Sequence, residues 1–398
     1  MLTQRQLFLR HNAQTTDFPL MIEIEKAEGL YMYSPDGKRY MDLISGIGVS
    51  SIGHRHPRVV AAIKNQLDHY MHLMVYGEYV QTPQVRFAEK LAAVLPHDLS
   101  SVYFVNSGAE AVEGAMKLAK RYTSRSEIIS CIHSYHGSTQ GALSLMGNEE
   151  FKNAYRPLLP GVRQVRFGSV EDLQLITAQT AAIFIETIQG EAGIQTATPA
   201  YWQALQARCR ETGTLLVLDE IQCGFGRTGT LFAFEQYGIV PDILLLAKAM
   251  GGGMPIGAFI SSAEIMASLK ENPILGHITT FGGHPVCCAA GLATLEVLLE
   301  EKVHHTVAEK EQLFRSLLVH PEIKEIRGKG LMLAIGLKDF DFNKKVIDEC
   351  IAQGIIVDWF LHNSNSMRIA PPLIITEQEI REACQVILSA IDQVLRNS

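Results

Sequence analysis

From about residue 100 the chain alternates short apolar runs with stretches of helical periodicity. Val102-Tyr-Phe-Val-Asn, Glu127 to Ser130, Ala182 to Glu186, Leu215-Leu-Val-Leu-Asp, Ile243-Leu-Leu-Leu-Ala and Ala258-Phe-Ile-Ser each read as a strand. Between them, Glu110 to Tyr122 places Val112, Ala115, Ala119 and Tyr122 on one helical face, with its acids early and its bases late, as the helix dipole favours. A further helix runs from Pro199 to about Glu211, with Thr198 as its cap, proline in its first turn and Gly213 at its end. Strands apolar on both faces and separated by helices predict an α/β fold, a mostly parallel sheet between helical layers.

The flanking regions differ. Gly29-Leu-Tyr-Met-Tyr and Arg39-Tyr-Met-Asp-Leu surround Asp36-Gly37, which predicts a short antiparallel piece. Helices are expected from about Pro57, with Val60, Ile63 and Leu67 in phase, and from Pro83 to Leu95. After Pro285 the pattern turns to longer helices with a few strands, such as Gly330-Leu-Met-Leu-Ala-Ile-Gly. It closes with a helix that opens on a capping box, Thr376 to Glu379, and carries Ile380, Ala383, Ile387, Ile391 and Leu395 inward. At 398 residues the chain is long enough for more than one core. The expected division is an N-terminal segment over 1–52, a large domain over 53–285 and a small α+β domain over 286–398, to which the N-terminal segment contributes.

Composition narrows the partners. A net charge of −7 with no basic block argues against nucleic acid, and no apolar run is long enough to span a membrane. The first residues lack the apolar core of a secretory signal, and the seven cysteines show no CxxC spacing, which fits reduced thiols and a cytoplasmic protein. Gly224-Phe-Gly-Arg-Thr-Gly matches a dinucleotide fingerprint in letters only. It does not directly follow a strand, and no long helix opens from Gly229.

Chemistry gathers at the strand ends, where open parallel sheets bind ligands. Lys248, just past Ile243 to Ala247, is costly to bury as a cation. It is either a lysine reaching out to solvent or one used covalently, as in a Schiff base with an aldehyde. Asp219 closes the most apolar strand and needs a partner there: a structural arginine, the next turn's amides, or a pyridinium nitrogen that it would keep protonated. Ser107-Gly108-Ala109 joins a strand to a helix start, which serves either as a simple cap or as a phosphate cradle. Phosphate cradle, pyridinium carboxylate and reactive lysine together describe pyridoxal 5'-phosphate.

With these features the chain resembles the class III, fold type I aminotransferases that include the ornithine, acetylornithine and 4-aminobutyrate enzymes. The resemblance runs from Asp42-Leu-Ile-Ser-Gly-Ile-Gly and Gly53-His-Arg-His-Pro to Met367-Arg-Ile-Ala-Pro-Pro. Its strongest stretches are Asn106-Ser-Gly-Ala-Glu-Ala, Glu186-Thr-Ile-Gln-Gly-Glu-Ala-Gly, Leu218-Asp-Glu-Ile-Gln-Cys-Gly-Phe-Gly-Arg-Thr-Gly, Ala247-Lys-Ala-Met-Gly-Gly-Gly-Met-Pro and Thr280-Phe-Gly-Gly-His-Pro. It implies that Ser107, Gly108 and Ala109 bind the phosphate, and that Thr280 reaches the phosphate of the neighbouring subunit in a homodimer. By the same resemblance Tyr135 would stack on the ring with His136 beside it, Gln222 would meet the ring hydroxyl, and Glu186 would position this network. Lys248 would carry the cofactor and then move the proton. Arg368 would pair with the substrate carboxylate, and Glu191 would cover that arginine while an ω-amine is bound.

The implied reaction is ping-pong: an amine donor leaves its amino group on the cofactor, and a 2-oxo acid, expected to be 2-oxoglutarate, takes it up. An aminomutase, a decarboxylating relative and a catalytically silent binding protein are the other readings. Two positions depart from the ornithine-type pattern. Ser138 stands where those enzymes carry an arginine, and Ile47 lacks their aromatic, which points to a smaller, differently charged or more apolar donor.

Overall fold

The computed structural model describes residues 2–397. Its strands, in chain order, begin with β1 (Lys26–Glu28), β2 (Tyr31–Tyr33) and β3 (Arg39–Asp42). Next come β4 (Ser101–Val105), β5 (Glu127–Cys131), β6 (Val162–Val165), β7 (Thr180–Glu186), β8 (Leu215–Asp219), β9 (Ile243–Leu246) and β10 (Gly257–Ser261). The last are β11 (Glu325–Gly328), β12 (Leu333–Gly336), β13 (Ile355–Ile356), β14 (Asp358–Phe360) and β15 (Asn363–Ile369).

Seven strands form the central sheet in the order β4-β10-β9-β8-β7-β5-β6. All the pairings from β9 through β8, β7 and β5 to β6 are parallel, and β10 alone runs antiparallel, to both β9 and β4. The chain from Leu246 to Gly257 holds only the short 3-10 turn Lys248–Gly251, too little for a parallel crossover, so β10 must return beside β9 in the opposite sense. The pattern that marked Ala258 to Ser261 as a buried strand carries no direction. Likewise β6, whose Arg163 and Gln164 interrupt the apolar run, has no clear strand signature in the sequence.

Period-two alternation divides the buried strand residues between two cores. Ile183, Ile185, Leu216, Leu218, Leu244 and Leu246 pack on one face. Ala182, Phe184, Leu215, Val217, Ile243 and Leu245 pack on the other, beneath the helix Gly108–Thr123. Gly114 of that helix lies so close to the sheet that a Cβ there would stand 2.3 Å from the Phe259 ring. Glu186 and Asp219 continue the second series, so both carboxylates project on the side of the sheet where this helix begins. That alternation fixes the position of the site.

A four-stranded antiparallel sheet, β11-β12-β15-β14, and the helices Phe340–Ala352 and Glu377–Arg396 make up the C-terminal part. The N-terminal strands join it through parallel pairing of β3 with β13, Met41 opposite Ile355 and Asp42 opposite Ile356. Three helical faces differ from the expected ones. In Pro57–His69 the buried positions are Val59 and Gln66, and Leu67 is exposed. Tyr122 and Leu395, in the last turns of their helices, also face outward, where the neighbouring layer no longer covers them.

The final helix has the expected capping box: Thr376 Oγ1 accepts from Glu379 N at 3.3 Å, and Glu379 Oε2 accepts from Thr376 N at 2.8 Å. The other Glu379 oxygen accepts from Tyr31 OH at 2.9 Å, tying the N-terminal sheet to this helix. Thr376→Ala is expected to cost about 1 kcal/mol of stability. Chemical denaturation checks this, and an unchanged midpoint would contradict the cap's role.

Candidate active site

At the carboxyl ends of β4, β7, β8 and β9 the sheet opens into a cavity of about 540 Å³, within the range of small-molecule sites. Ser107, Gly108, Ala109, Tyr135, His136, Ser138, Glu186, Glu191, Asp219, Gln222 and Lys248 all line it. Residues more than a hundred positions apart in sequence therefore face one space.

One end is the start of the helix Gly108–Thr123. Ser107 caps it by accepting from Glu110 N at 3.2 Å. The amides of Gly108 and Ala109 are first-turn donors that no carbonyl of the helix can reach. A Cβ on Gly108 would lie 2.9 Å from Ile221 Cδ1, so the residue is glycine because the loop after β8 presses against it. Free amides, a helix dipole and a bare backbone suit a phosphate.

Asp219 stands at the end of β8, in register with Glu186 on β7. Its Oδ1 accepts from Ile221 N at 3.0 Å, and its Oδ2 accepts from His136 Nδ1 at 2.7 Å. Asp219 thus caps the following turn, as one reading of the sequence expected, and its main partner is a histidine rather than an arginine. Burial works against charging His136. The hydrogen bond and charge of Asp219, with Glu186 further off, outweigh burial and hold its pKa above the ordinary histidine value. His136 lies behind the carboxylate, fully buried, with Nε2 unpartnered. Its place in sequence beside Tyr135 gave no sign of this link.

Glu186 accepts from Tyr135 N at 3.0 Å and from Gly190 N at 2.8 Å. Burial pushes its carboxyl up to about 7, with Asp219 adding to the shift and His136 opposing it. Lys248, two residues past β9 in a left-handed conformation, is made less basic, chiefly by burial, against the pull of Glu191. Tyr135 OH and Ser138 Oγ meet at 3.2 Å near the opening, where Ser138 is exposed.

Three candidates lie off the cavity itself. Arg368, on β15, is behind Glu191 and gives Nη2 to both its oxygens, at 3.0 and 2.8 Å. Burial raises the Glu191 pKa, but Arg368 and then Lys248 reverse this and hold it below the ordinary value. Gln222 Nε2 reaches the same carboxylate at 3.4 Å. Ile47, at positive φ, lines a small adjoining void with Gly48, Gln222 and Arg368. Thr280 is exposed on the loop before the helix Pro285–Glu301 and does not line its own chain's cavity.

These residues fit pyridoxal phosphate. The free amides beside Gly108 match its phosphate and the Asp219 carboxylate its ring nitrogen. Lys248 Nζ, which has no hydrogen bond among the described residues, matches its aldehyde. The Gly224–Gly229 segment is a series of turns leading into the short 3-10 helix Ala233–Tyr237, without the long helix a dinucleotide site needs.

A parallel sheet presenting a lysine, a carboxylate and a helix start to one cavity defines a pyridoxal-phosphate enzyme of the aminotransferase type. The model of the class-III aminotransferase family matches residues 12–391, and the chain belongs to that family. It is 39% identical over 389 residues to an acetylornithine aminotransferase of Caldanaerobacter subterraneus subsp. tengcongensis, covering 95% of this chain and 96% of the relative. Among solved structures it superposes on the ornithine aminotransferase of Toxoplasma gondii, whose active site holds pyridoxal phosphate at partial occupancy, with a TM-score of 0.91. The identity there is 31%, covering 99% of this chain and 95% of the other. An (S)-enantioselective omega-transaminase of Thermomicrobium roseum gives a TM-score of 0.89 at 29% identity, covering 98% and 97%. The protein transfers amino groups with pyridoxal phosphate. Among the described residues no helix is long and apolar enough to cross a membrane, and all seven cysteines are free and buried.

Asp219→Asn removes the charge that opposes burial of His136. The histidine pKa is therefore expected to fall from above its ordinary value to below it, measured on the cofactor-free protein by NMR titration. A pKa that does not move would contradict the pairing.

Proposed function

We propose that the chain transfers the amino group of an ω-amine donor to a 2-oxo acid, 2-oxoglutarate being the acceptor that fits best, as a cytoplasmic homodimer. The observation that carries this reading is the Glu191–Arg368 pair: a buried guanidinium at the cavity edge, covered by a carboxylate that can turn away. With the pair closed, the cavity suits an amine without a carboxylate at that position. With Glu191 turned away, Arg368 can take the acceptor's carboxylate in two hydrogen bonds.

The layout supports the following residue roles. The amides of Gly108 and Ala109 and the Ser107 turn hold the phosphate, and Tyr135 covers the ring face. Gln222 serves the ring hydroxyl, and Glu186 fixes the Tyr135 backbone that carries both Tyr135 and His136. Asp219, backed by His136, keeps a proton on the ring nitrogen. When bound, the cofactor accepts the electron pair left as the substrate C–H bond breaks. Lys248 Nζ, less basic through burial, holds the cofactor at rest. Once free, it would take the proton from the substrate carbon as general base and deliver it, as general acid, to the carbon that came from the cofactor aldehyde.

The large unit over 53–285 supplies this machinery, and the small unit, from 1–52 and 286–398, supplies Arg368 and the Ile47 loop. The β3–β13 pairing supports that division. An exposed apolar surface beside the cavity supports the dimer. The His72 and Phe281 rings lie 4.8 Å apart, with Met71, Leu73, Ile278 and Phe281 all exposed around Thr280, which would reach the partner's phosphate site.

Ser138 leaves the outer cavity without an arginine to anchor a donor carboxylate. In half-reactions followed by the cofactor spectrum, putrescine, an ω-amine with no carboxylate, is therefore expected to convert the holoenzyme faster than N-acetylornithine. Faster conversion by N-acetylornithine would contradict this donor class. Lys248→Ala is expected to abolish conversion of every donor while leaving the circular dichroism unchanged, and substantial residual turnover would contradict the role of Lys248.

A further inference from the structure

Glu191 is not the only carboxylate at Arg368. Asp358 and Arg368 are direct cross-strand partners in the antiparallel pair β14–β15, and Asp358 Oδ1 lies 3.2 Å from Arg368 Nε. This is a charge contact rather than an aligned hydrogen bond, since neither atom has a hydrogen-bond partner. Phe360, on the same strand as Asp358, places its ring centroid 4.5 Å from the guanidinium carbon. Arg368 is thus held on two sides by one small sheet.

Glu191 approaches from a different element, the loop after β7, and engages only Nη2, while Nη1 has no partner. The backbone of that loop is pinned. The Glu191 carbonyl accepts from His362 N at 3.0 Å, that of Ala192 from Asn363 Nδ2 at 3.2 Å, and that of Gly193 from Arg327 Nε at 2.8 Å. Glu191 can therefore leave Arg368 only by turning its side chain, which leaves Asp358 and Phe360 in place. A buried guanidinium stripped of every counter-ion is strongly disfavoured, so something must compensate Arg368 between the departure of Glu191 and the arrival of a substrate carboxylate. Burial pushes the Asp358 carboxyl up to about 6, with Arg368 opposing that rise and Glu191 and Asp42 adding to it, so turning Glu191 away favours the charged form of Asp358.

We propose that Asp358 is the resident counter-ion of Arg368, which keeps the guanidinium compensated and aimed while Glu191 is turned away. It is a positioning residue for the acceptor half of the reaction and not for the donor half. The proposal rests on the reading of Arg368 as the acceptor's carboxylate anchor and of Glu191 as its cover.

The test compares the two half-reactions of the holoenzyme separately by stopped-flow absorbance, using the fastest amine of the panel above and then 2-oxoglutarate. Asp358→Asn is expected to weaken the apparent affinity for 2-oxoglutarate on the order of tenfold, the scale of a misplaced binding group, while the donor half-reaction stays within about twofold. Glutarate binding to the resting holoenzyme, measured by calorimetry, should weaken in parallel. Equal effects on both halves, or none on the acceptor half, would overturn the proposal. If Asp358→Asn does not fold, Asp358→Ser removes the same charge and carries the same expectation. Arg368→Ala separates the two levels of the argument. Should it weaken 2-oxoglutarate binding while neither Asp358 variant does, only this inference fails. Should it leave that binding unchanged, the reading of Arg368 fails as well.

Discussion

The site depends on a carboxylate held at the end of an otherwise apolar strand. Asp219 is buried, and its environment is built to hold it there: one oxygen takes the Ile221 amide and the other takes His136, which is itself sealed from solvent. A lone carboxylate in such surroundings would be driven to its neutral form or out of the sheet. The histidine, its pKa held above the ordinary value by that same contact, donates a hydrogen bond to the carboxylate and fixes the direction in which the remaining lone pairs point. Around this pair, β7 brings Glu186 into register, β9 delivers Lys248 nearby, and the Ile221 side chain that follows Asp219 forces glycine at the helix start.

The charges around the cavity are graded by how each is compensated. Glu186, with backbone amides as its hydrogen-bond donors, titrates near neutrality. Glu191, facing Arg368 and Lys248, stays below the ordinary carboxylate value. Lys248 is made less basic by burial, which suits an amine that must be neutral to react. The Glu191–Arg368 pair is held from the small sheet on one side and from the loop after β7 on the other. An enzyme that meets two different substrates in turn needs a cavity whose charge can change without rebuilding its walls, and on the proposed reading rotation of the Glu191 side chain makes that change.

Much of this was legible in the sequence. Uninterrupted apolar runs identify the buried parallel strands, and the polar residue at the end of each marks the ligand edge, so Asp219, Lys248 and the Ser107 turn could be placed together before any coordinates. Strand direction was not legible for β10, because only the shortness of the preceding connection imposes it. The link between His136 and Asp219 joins a loop to a strand end 83 positions away, and no local pattern marks it. Asp358 was missed for a related reason. It lies in a three-residue strand, and its importance comes from cross-strand register with Arg368, which no Asn-Gly or Asp-Gly turn announces.

The most direct measurement is nitrogen-15 NMR of the holoenzyme reconstituted with cofactor labelled at the ring nitrogen, recorded across neutral pH for the wild type and for Asp219→Ala. If Asp219, supported by His136, faces that nitrogen from the side opposite Lys248, the wild type will show a protonated ring throughout and the variant an unprotonated one. The same ring state in both proteins would contradict the account.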